Sequence, residues 1–469
     1  MQRRLIFLIA SVFYLIVVLL SAGNELFWDS VLLSGKYGLH FYQHFFTTAF
    51  VPEALAGYPP LWGYYLAIVW KLTGGPSLFW SHIAMWPILM LLVYNAFSFT
   101  DSLGLKSPKF ILIAVLLLEP VLLAQSTQVA PDLALTAFFF GGLAAIYRKH
   151  SLLAAVYVLL LIWLSPRGGF HALALVMVSV MQAHRTGTFI RSNNPAIYPA
   201  ASFLLGALIW YLPHYFHFGW VGYQPNSAWE ASTKLVDSAG FVKNFAVLFL
   251  RFADYNRWAL AFILLWAVWR HFKTFRQHSS WHALILVFAI VVAVQLPIWL
   301  MYSNPIGHRY LIVPFILLSW YTVELLYLNS KRAWLLVLLI AVLLATGHWA
   351  VLPIGFARGW DATLAHLPYF SVKDEAWQFI HNKGIDPTQV CTSFPANEPQ
   401  RYLKLNDQND GLSTCNAVED AAYVLWSNVF NIKQTPDTVR YEIVWHRKKG
   451  QVVMELWQLK KPNEPWLIP

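Results

Sequence analysis

The sequence predicts an α-helical polytopic membrane protein of about 11 transmembrane helices, an interfacial helix in the first outer loop and a small C-terminal domain. Three observations carry this reading. Hydrophobic residues make up 58% of the chain and charged residues 12%, well below the roughly 25% charged of an ordinary soluble domain. Apolar stretches recur along the first 354 residues, and the Lys and Arg between them cluster in alternate short connections. Residues 355–469 lose that pattern and carry 12 Lys/Arg against 13 Asp/Glu.

The first stretch, Leu5–Leu20, follows Arg3-Arg4 and precedes Ser21-Ala22-Gly23. Small residues after an apolar run also suit a cleaved signal peptide. The many stretches that follow favour an uncleaved first span. Further stretches lie at 78–97, 110–124, 132–147, 151–164, 169–183, 196–212, 258–270, 282–301, 310–328 and 333–352.

Pro59–Leu72 is also apolar, but it is short, opens with Pro-Pro and contains Lys71. Charge decides its place. If it lies along the interface, the loops with Lys106/Lys109, Arg148/Lys149, Arg185/Arg191, Arg270/Lys273/Arg276 and Lys331/Arg332 all join Arg3/Arg4 on one side. That side then holds 13 Lys/Arg and one acid, Asp101, against 8 Lys/Arg and 7 acids opposite. Basic loops stay cytoplasmic, so the N-terminus is read as inside and Pro59–Leu72 as interfacial. The protein is expected in the cell inner or plasma membrane, with long outer segments at 23–77 and 213–257.

Residues 355–469 form the outer domain, extracytoplasmic on this topology. A helix is read over Val372–Asn382 and strands over Ala421–Trp426, Val439–Trp445 and Val452–Leu459. The last two are joined as a hairpin by Arg447-Lys448-Lys449-Gly450. This composition suits a small α/β or α+β extracytoplasmic domain. Cys391 and Cys415 both fall in it, as a disulfide or as two buried thiols, and the sequence leaves both open. The net charge of +10 sits in short membrane loops, which argues for no nucleic acid partner.

Carboxylates in hydrocarbon cost about 2.5–3.5 kcal/mol each and persist where chemistry or transport needs them. Asp29, Glu119 and Asp132 lie in or beside apolar stretches, all on the outer side. If Asn24-Glu25-Leu26-Phe27-Trp28-Asp29-Ser30 starts a helix, Glu25 and Asp29 share a face. One could then accept a proton from a hydroxyl while the other orients it. A solvated, dipole-favoured helix start is the plain alternative. Glu119 precedes a kinking Pro120, and interhelical hydrogen bonding is its plain alternative. The polar stretch Gln125-Ser126-Thr127-Gln128 leads to Pro131-Asp132, where Asp132 can also cap a helix.

Two cationic segments join the same side. Ser165-Pro166-Arg167-Gly168-Gly169 reads as a tight hairpin with His171 beyond it. Asn304-Pro305-Ile306-Gly307-His308-Arg309-Tyr310 places His308, Arg309 and Tyr310 at the outer mouth of a late span. Arg can simply snorkel to headgroups. Two guanidiniums beside carboxylates also suit a phosphate-bearing lipid, because their forks bind phosphate oxygens bidentately. Glu324 reads as locally paired, His214 and His217 as aromatic decoration, and Asp237 and Asp254 as solvated loop acids. No phosphate-binding loop, nucleophile elbow or HExxH motif is present.

In order and spacing, NELFWDS, GYPPLWGYYLAIVWKLTGG, AQSTQVAPDLAL and GHRYLIVPF resemble the GT-C membrane glycosyltransferases. The likeness is to glycosyltransferase family 39, the protein O-mannosyltransferase and aminoarabinose-transferase type, and it covers roughly residues 1–330. The resemblance implies inverting transfer of a sugar from a polyprenyl-phosphate donor to a lipid, glycan or protein acceptor at the outer face, among membrane lipids. It maps the first-loop acid to Asp29 or Glu25 and a second acid to Asp132. Arg167 and Arg309 are implied to stabilise the departing phosphate, and Glu119 and Asp132 to position sugar or acceptor. Gln125, His171, His308 and Tyr310 join the implied substrate-binding set. Tyr58 stands where the family often has His before the Pro-Pro helix. The resemblance fixes no cofactor but admits a divalent metal. Rival readings are a lipid-linked polysaccharide polymerase or ligase, and a lipid-linked sugar flippase or transporter. The second usually shows repeat symmetry, which the sequence lacks.

Overall fold

Helices follow the apolar stretches in order. In the computed structural model they are α1 (Gln2–Ser21), α2 (Tyr37–Gln43), α3 (Leu61–Thr73), α4 (Leu78–Ile83), α5 (Met85–Ser102) and α6 (Lys109–Leu117). Then come α7 (Pro120–Ser126), α8 (Asp132–Tyr147), α9 (Ser151–Leu164), α10 (Pro166–Arg185), α11 (Ile197–Phe218) and α12 (Ser238–Ala253). The last apolar ones are α13 (Arg257–Phe275), α14 (Ser279–Met301), α15 (Ile312–Asn329) and α16 (Ala333–Thr346). The structure describes residues 2–52, 57–189, 194–227, 230–275, 279–303, 306–329, 333–349, 359–415, 421–430 and 435–460. Arg191, Arg276, Asn304, Pro305, Lys331, Arg332 and the boundary read at 354/355 lie outside them.

Among the described residues, four segments are long and apolar enough to cross a membrane: Arg3–Ser21, Leu78–Ser102, Trp281–Met301 and His308–Leu328. α6 and α7, bent by 65°, make a fifth if counted as one span. That is fewer than the eleven apolar stretches. α8, α9 and α16 are apolar but have 16, 14 and 14 residues, short of a comfortable span of ~20. Proline and polar residues at the helix ends do the shortening. The bend at α6/α7 has a named cause: Pro120 occupies the first position of α7, and Glu119 caps it by accepting the Leu122 N–H at 2.7 Å.

Other connections also differ from the sequence reading. The expected hairpin around Arg167 is a helix start, because Ser165 accepts the Gly168 N–H at 3.0 Å and Pro166 opens α10. Arg167 therefore stands in the first turn. Gly168 is needed there, since a Cβ would lie 1.8 Å from the Leu161 carbonyl oxygen of α9. The segment 213–257 contains α12, and Asp237, read as a solvated loop acid, caps that helix by accepting the Gly240 N–H at 2.7 Å. Glu324 does not pair locally. It accepts from the Lys106 and Ser107 N–H groups and the Ser107 hydroxyl, pinning the α5–α6 connection to α15.

The first loop does not begin with a helix over Glu25–Asp29. Trp28 adopts φ +52, the helix starts at Asp29, and Val31–Lys36 is a π-helix. Glu25 and Asp29 thus share no helical face. A left-handed non-glycine residue costs about 1–2 kcal/mol, and π segments are rare and frequent at functional sites. Both flank Asp29. α3 is about 20 Å long at 1.5 Å per residue, and it lies against the π-helix and α4. Its Trp62 indole donates to Ser34 and its Trp70 indole to Ser81, both at 2.9 Å.

The C-terminal part is a small sheet domain. β1 (Val390–Thr392), β2 (Ser413–Thr414), β3 (Tyr423–Ser427), β4 (Tyr441–Lys449) and β5 (Val452–Leu459) run in the order β2-β1-β3-β5-β4. β1 is parallel to β2 and β3, while β3–β5 and β5–β4 are antiparallel. The β4–β5 hairpin turns at Gly450, whose φ of +59 suits glycine, while Arg447, Lys448 and Lys449, read as part of the turn, pair with β5 as the end of β4. α17 (Pro368–Asn382) packs on β4 and β5. Cys391 and Cys415 form a disulfide.

The first loop is built into this domain. Phe27, 1% exposed, belongs to its core and stacks on His366 at 5.2 Å beside Tyr369 and Phe370. Burying one such side chain contributes about 1.5–3 kcal/mol. The Leu26 N–H donates to the Leu403 carbonyl at 2.8 Å. Asp29 is thereby held between the helical bundle and the sheet domain.

Candidate active site

Arg309 is the centre of the site. It lies in a short 3-10 helix, His308–Leu311, leading into α15. Its Nη2 donates to Asp29 Oδ2 at 2.5 Å, and its Nη1 lies 3.3 Å from Asp361 Oδ2. Arg167 Nη1 donates to Asp132 Oδ1 at 2.6 Å. The two guanidiniums share one ring: Arg167 Cζ is 4.5 Å and Arg309 Cζ 5.4 Å from the Tyr310 centroid. Asp29, Asp132, Arg167, Arg309 and Tyr310 therefore form one cluster, small enough for a single sugar phosphate to span.

Asp132, Arg167, His171, Arg309 and Tyr310 line a narrow cleft with about 10 Å³ of free volume, room for about one water molecule. His171 Nδ1 lies 3.0 Å from the Arg167 carbonyl, which fixes the ring over the cleft wall. Tyr58 approaches from the long loop between α2 and α3. Burial pushes its phenol up, with Asp29 adding to the rise and Arg167 opposing it.

Asp361 is the site residue that the sequence reading missed. Its carboxyl is raised by burial, against the pull of Arg309 and with a push from Asp29 and Asp132. In the sequence it looks like one more acid of a polar domain. The polar stretch after α7 holds it: Gln125 and Gln128 donate to the Asp361 carbonyl at 2.8 and 3.4 Å. Gln125 thus orients Asp361 through its backbone.

Several expected site residues are spoken for elsewhere. Glu25, nearly buried, accepts from Lys373 of α17 at 2.6 Å. Glu119 is 1% exposed and uses its two oxygens on Arg257 and the Leu122 N–H, with the Arg257 guanidinium 3.7 Å over the Phe315 ring. His308 is not at an outer mouth. It is fully buried, 2.6 Å from Asp254, and its ring packs on Tyr255 at 4.5 Å. Asp254, expected to be solvated, is 6% exposed and also faces Arg251 at 3.7 Å. Arg251 donates to the Ile306 carbonyl at 2.8 Å. This buried network backs the 3-10 helix that presents Arg309. The run Arg251-Phe-Ala-Asp254-Tyr255-Asn-Arg257 between apolar stretches was its available signal. Gly359 passes so close that a Cβ would lie 2.4 Å from His308 Nδ1.

Among the described residues, no three His, Cys, Asp or Glu side chains converge as a metal ion would require. The carboxylates of the cluster face guanidiniums instead. Comparison with protein-family models, curated proteins and solved structures finds no match for this chain.

Proposed function

We propose that the protein is a membrane glycosyltransferase of the GT-C type, moving a sugar from a polyprenyl-phosphate donor to an acceptor hydroxyl. The reading has the eleven apolar stretches crossing the cell inner or plasma membrane, the shorter helices included. The N-terminus is cytoplasmic and the site opens on the outer face with the C-terminal domain. The observation that carries the proposal is the pairing of two guanidiniums across Tyr310 with carboxylates on both flanks.

In the reaction, the acceptor oxygen attacks the anomeric carbon from the face opposite the phosphate. The bond between that carbon and the phosphate oxygen breaks, and the polyprenyl phosphate leaves with its electron pair. The acceptor proton passes to Asp29. Asp29 is favoured over Asp132 as base because its side chain keeps 19% exposure against 3%. Glu25 is disfavoured by its commitment to Lys373. Arg309 holds Asp29 through Oδ2, and Oδ1 is the oxygen offered to the acceptor. Arg167 and Arg309 bind the phosphate and neutralise the charge that builds on it. Preorganised donors of this kind are worth about 10²–10³ in rate each.

The test is to incubate purified protein with polyprenyl-phosphate-linked mannose, glucose or arabinose, radiolabelled in the sugar, and a membrane extract as acceptor source. Label appearing in a new covalent product supports the proposal. Movement of intact donor across reconstituted vesicles without bond transfer favours a flippase instead.

A further inference from the structure

The cleft beside Arg309 contains a residue that the transfer chemistry above does not use. Gln295 lies in the apolar segment Trp281–Met301, where His282 is the only other polar side chain. It is 5% exposed, lines the cleft with Asp132, and its amide nitrogen is buried without a hydrogen-bond partner. Across the same cleft, Asp132 Oδ2 is buried and equally unpartnered, while Oδ1 is held by Arg167. A buried polar atom left unsatisfied costs about 1–3 kcal/mol, and two of them facing one space are unusual in a packed bundle. Pro297, two residues on, lacks the N–H that would bond the Ala293 carbonyl. α14 stays continuous but lacks one backbone hydrogen bond near the cleft.

We infer that Gln295 and Asp132 form a subsite that reads a hydroxyl of the donor sugar. The inference rests on the proposed function and specifies its donor recognition. The chemistry is complementary. A hydroxyl donates to one acceptor and accepts from one donor at the same time. Asp132 Oδ2 is a carboxylate acceptor, and the Gln295 carboxamide supplies the donor. Arg167 fixes the carboxylate, so the geometry is set before the ligand arrives. A sugar analogue lacking that hydroxyl would leave both groups unpaired, which is how such sites discriminate strongly.

The experiment compares binding of bare undecaprenyl phosphate with undecaprenyl-phosphate-linked mannose, glucose and arabinose. It uses the full chain in detergent, read by native mass spectrometry. Gln295→Leu removes the polar group at similar volume; Gln295→Asn keeps it but shortens its reach. The expected result is that one sugar-bearing lipid binds the wild-type protein more tightly than bare lipid. Both variants should lose that advantage by about tenfold while binding bare lipid as before. Retention of the full advantage in Gln295→Leu would mean that the cleft holds water only, and would overturn the subsite. An equal loss for bare and sugar-bearing lipid would overturn it too, as a merely structural effect. If neither lipid class binds the wild-type protein, the proposed function itself fails and the subsite falls with it.

Discussion

Asp29 and Arg309 are 280 positions apart in the sequence, yet their carboxylate and guanidinium meet at 2.5 Å. The same guanidinium reaches Asp361 of the C-terminal part at 3.3 Å. One arginine thus ties the first long loop, a late helix and the C-terminal domain into a single site. That arrangement makes its fork geometry, and not only its charge, the property to test.

Arg309→Lys keeps the charge but cannot serve Asp29 and Asp361 with two separate nitrogens. Sugar transfer should fall by about 10²-fold or more, with expression and thermal stability close to wild type. Arg309→Ala should also lower stability, because both carboxylates lose their partner. Radiolabel transfer and detergent thermal melts of the two variants check this.

The Glu119–Arg257 pair is fully buried, so removing one partner leaves an uncompensated charge. Glu119→Gln and Arg257→Met should each destabilise by about 3–5 kcal/mol. The double replacement Glu119→Met with Arg257→Met should be better tolerated than Arg257→Met alone. Thermal melting of all three variants measures the coupling. Equal loss from all three would show that the pair acts through packing only.

His366 supplies a pH dependence. Burial against Phe27 lowers its imidazole from 6.5 to about 4, and the Nδ1 contact with the Thr363 carbonyl opposes that shift only in part. Between these values the unfolded chain holds a proton that the folded protein does not. Its contribution is therefore present above about pH 6.5 and is lost as pH falls toward 4. The full effect is on the order of 3 kcal/mol at one 1.36 kcal/mol step per pH unit. Melting temperatures from pH 7.5 to 4 should fall less steeply in His366→Gln than in the wild type.

The Cys391–Cys415 disulfide spans 24 positions. Chain-entropy arguments give about 3.5 kcal/mol for a loop of that size. Cys391→Ala with Cys415→Ala should weaken the sheet domain by up to that amount. Limited proteolysis of the domain, with and without reductant, should show a matching rise in cleavage.

The sequence made the apolar build, the Pro120 break and the β4–β5 hairpin legible, because periodicity and turn chemistry act over a few residues. Hydrophobic period cannot separate a full span from a shorter buried helix, so α8, α9 and α16 looked longer in function than in length. Asp132 and Arg167 were readable as charges beside hydrocarbon, and Arg309 as a guanidinium opening a late span. Asp361 was not, since a carboxylate in a balanced polar domain carries no local mark of its distant partner. Glu25 misled for the converse reason: its spacing to Asp29 suits a helix, but Phe27 is pulled into the core of the C-terminal domain and the chain there cannot coil.

The rate of sugar transfer by Asp29→Asn, an isosteric change that leaves Arg309 paired to Asp361, measures whether Asp29 takes the acceptor proton. Its melting temperature should match the wild type, and transfer from the polyprenyl-phosphate sugar that the wild type uses should drop by about 10²–10⁴-fold. Transfer within about twofold of wild type, far smaller a change than general-base loss produces, would remove Asp29 from the reaction.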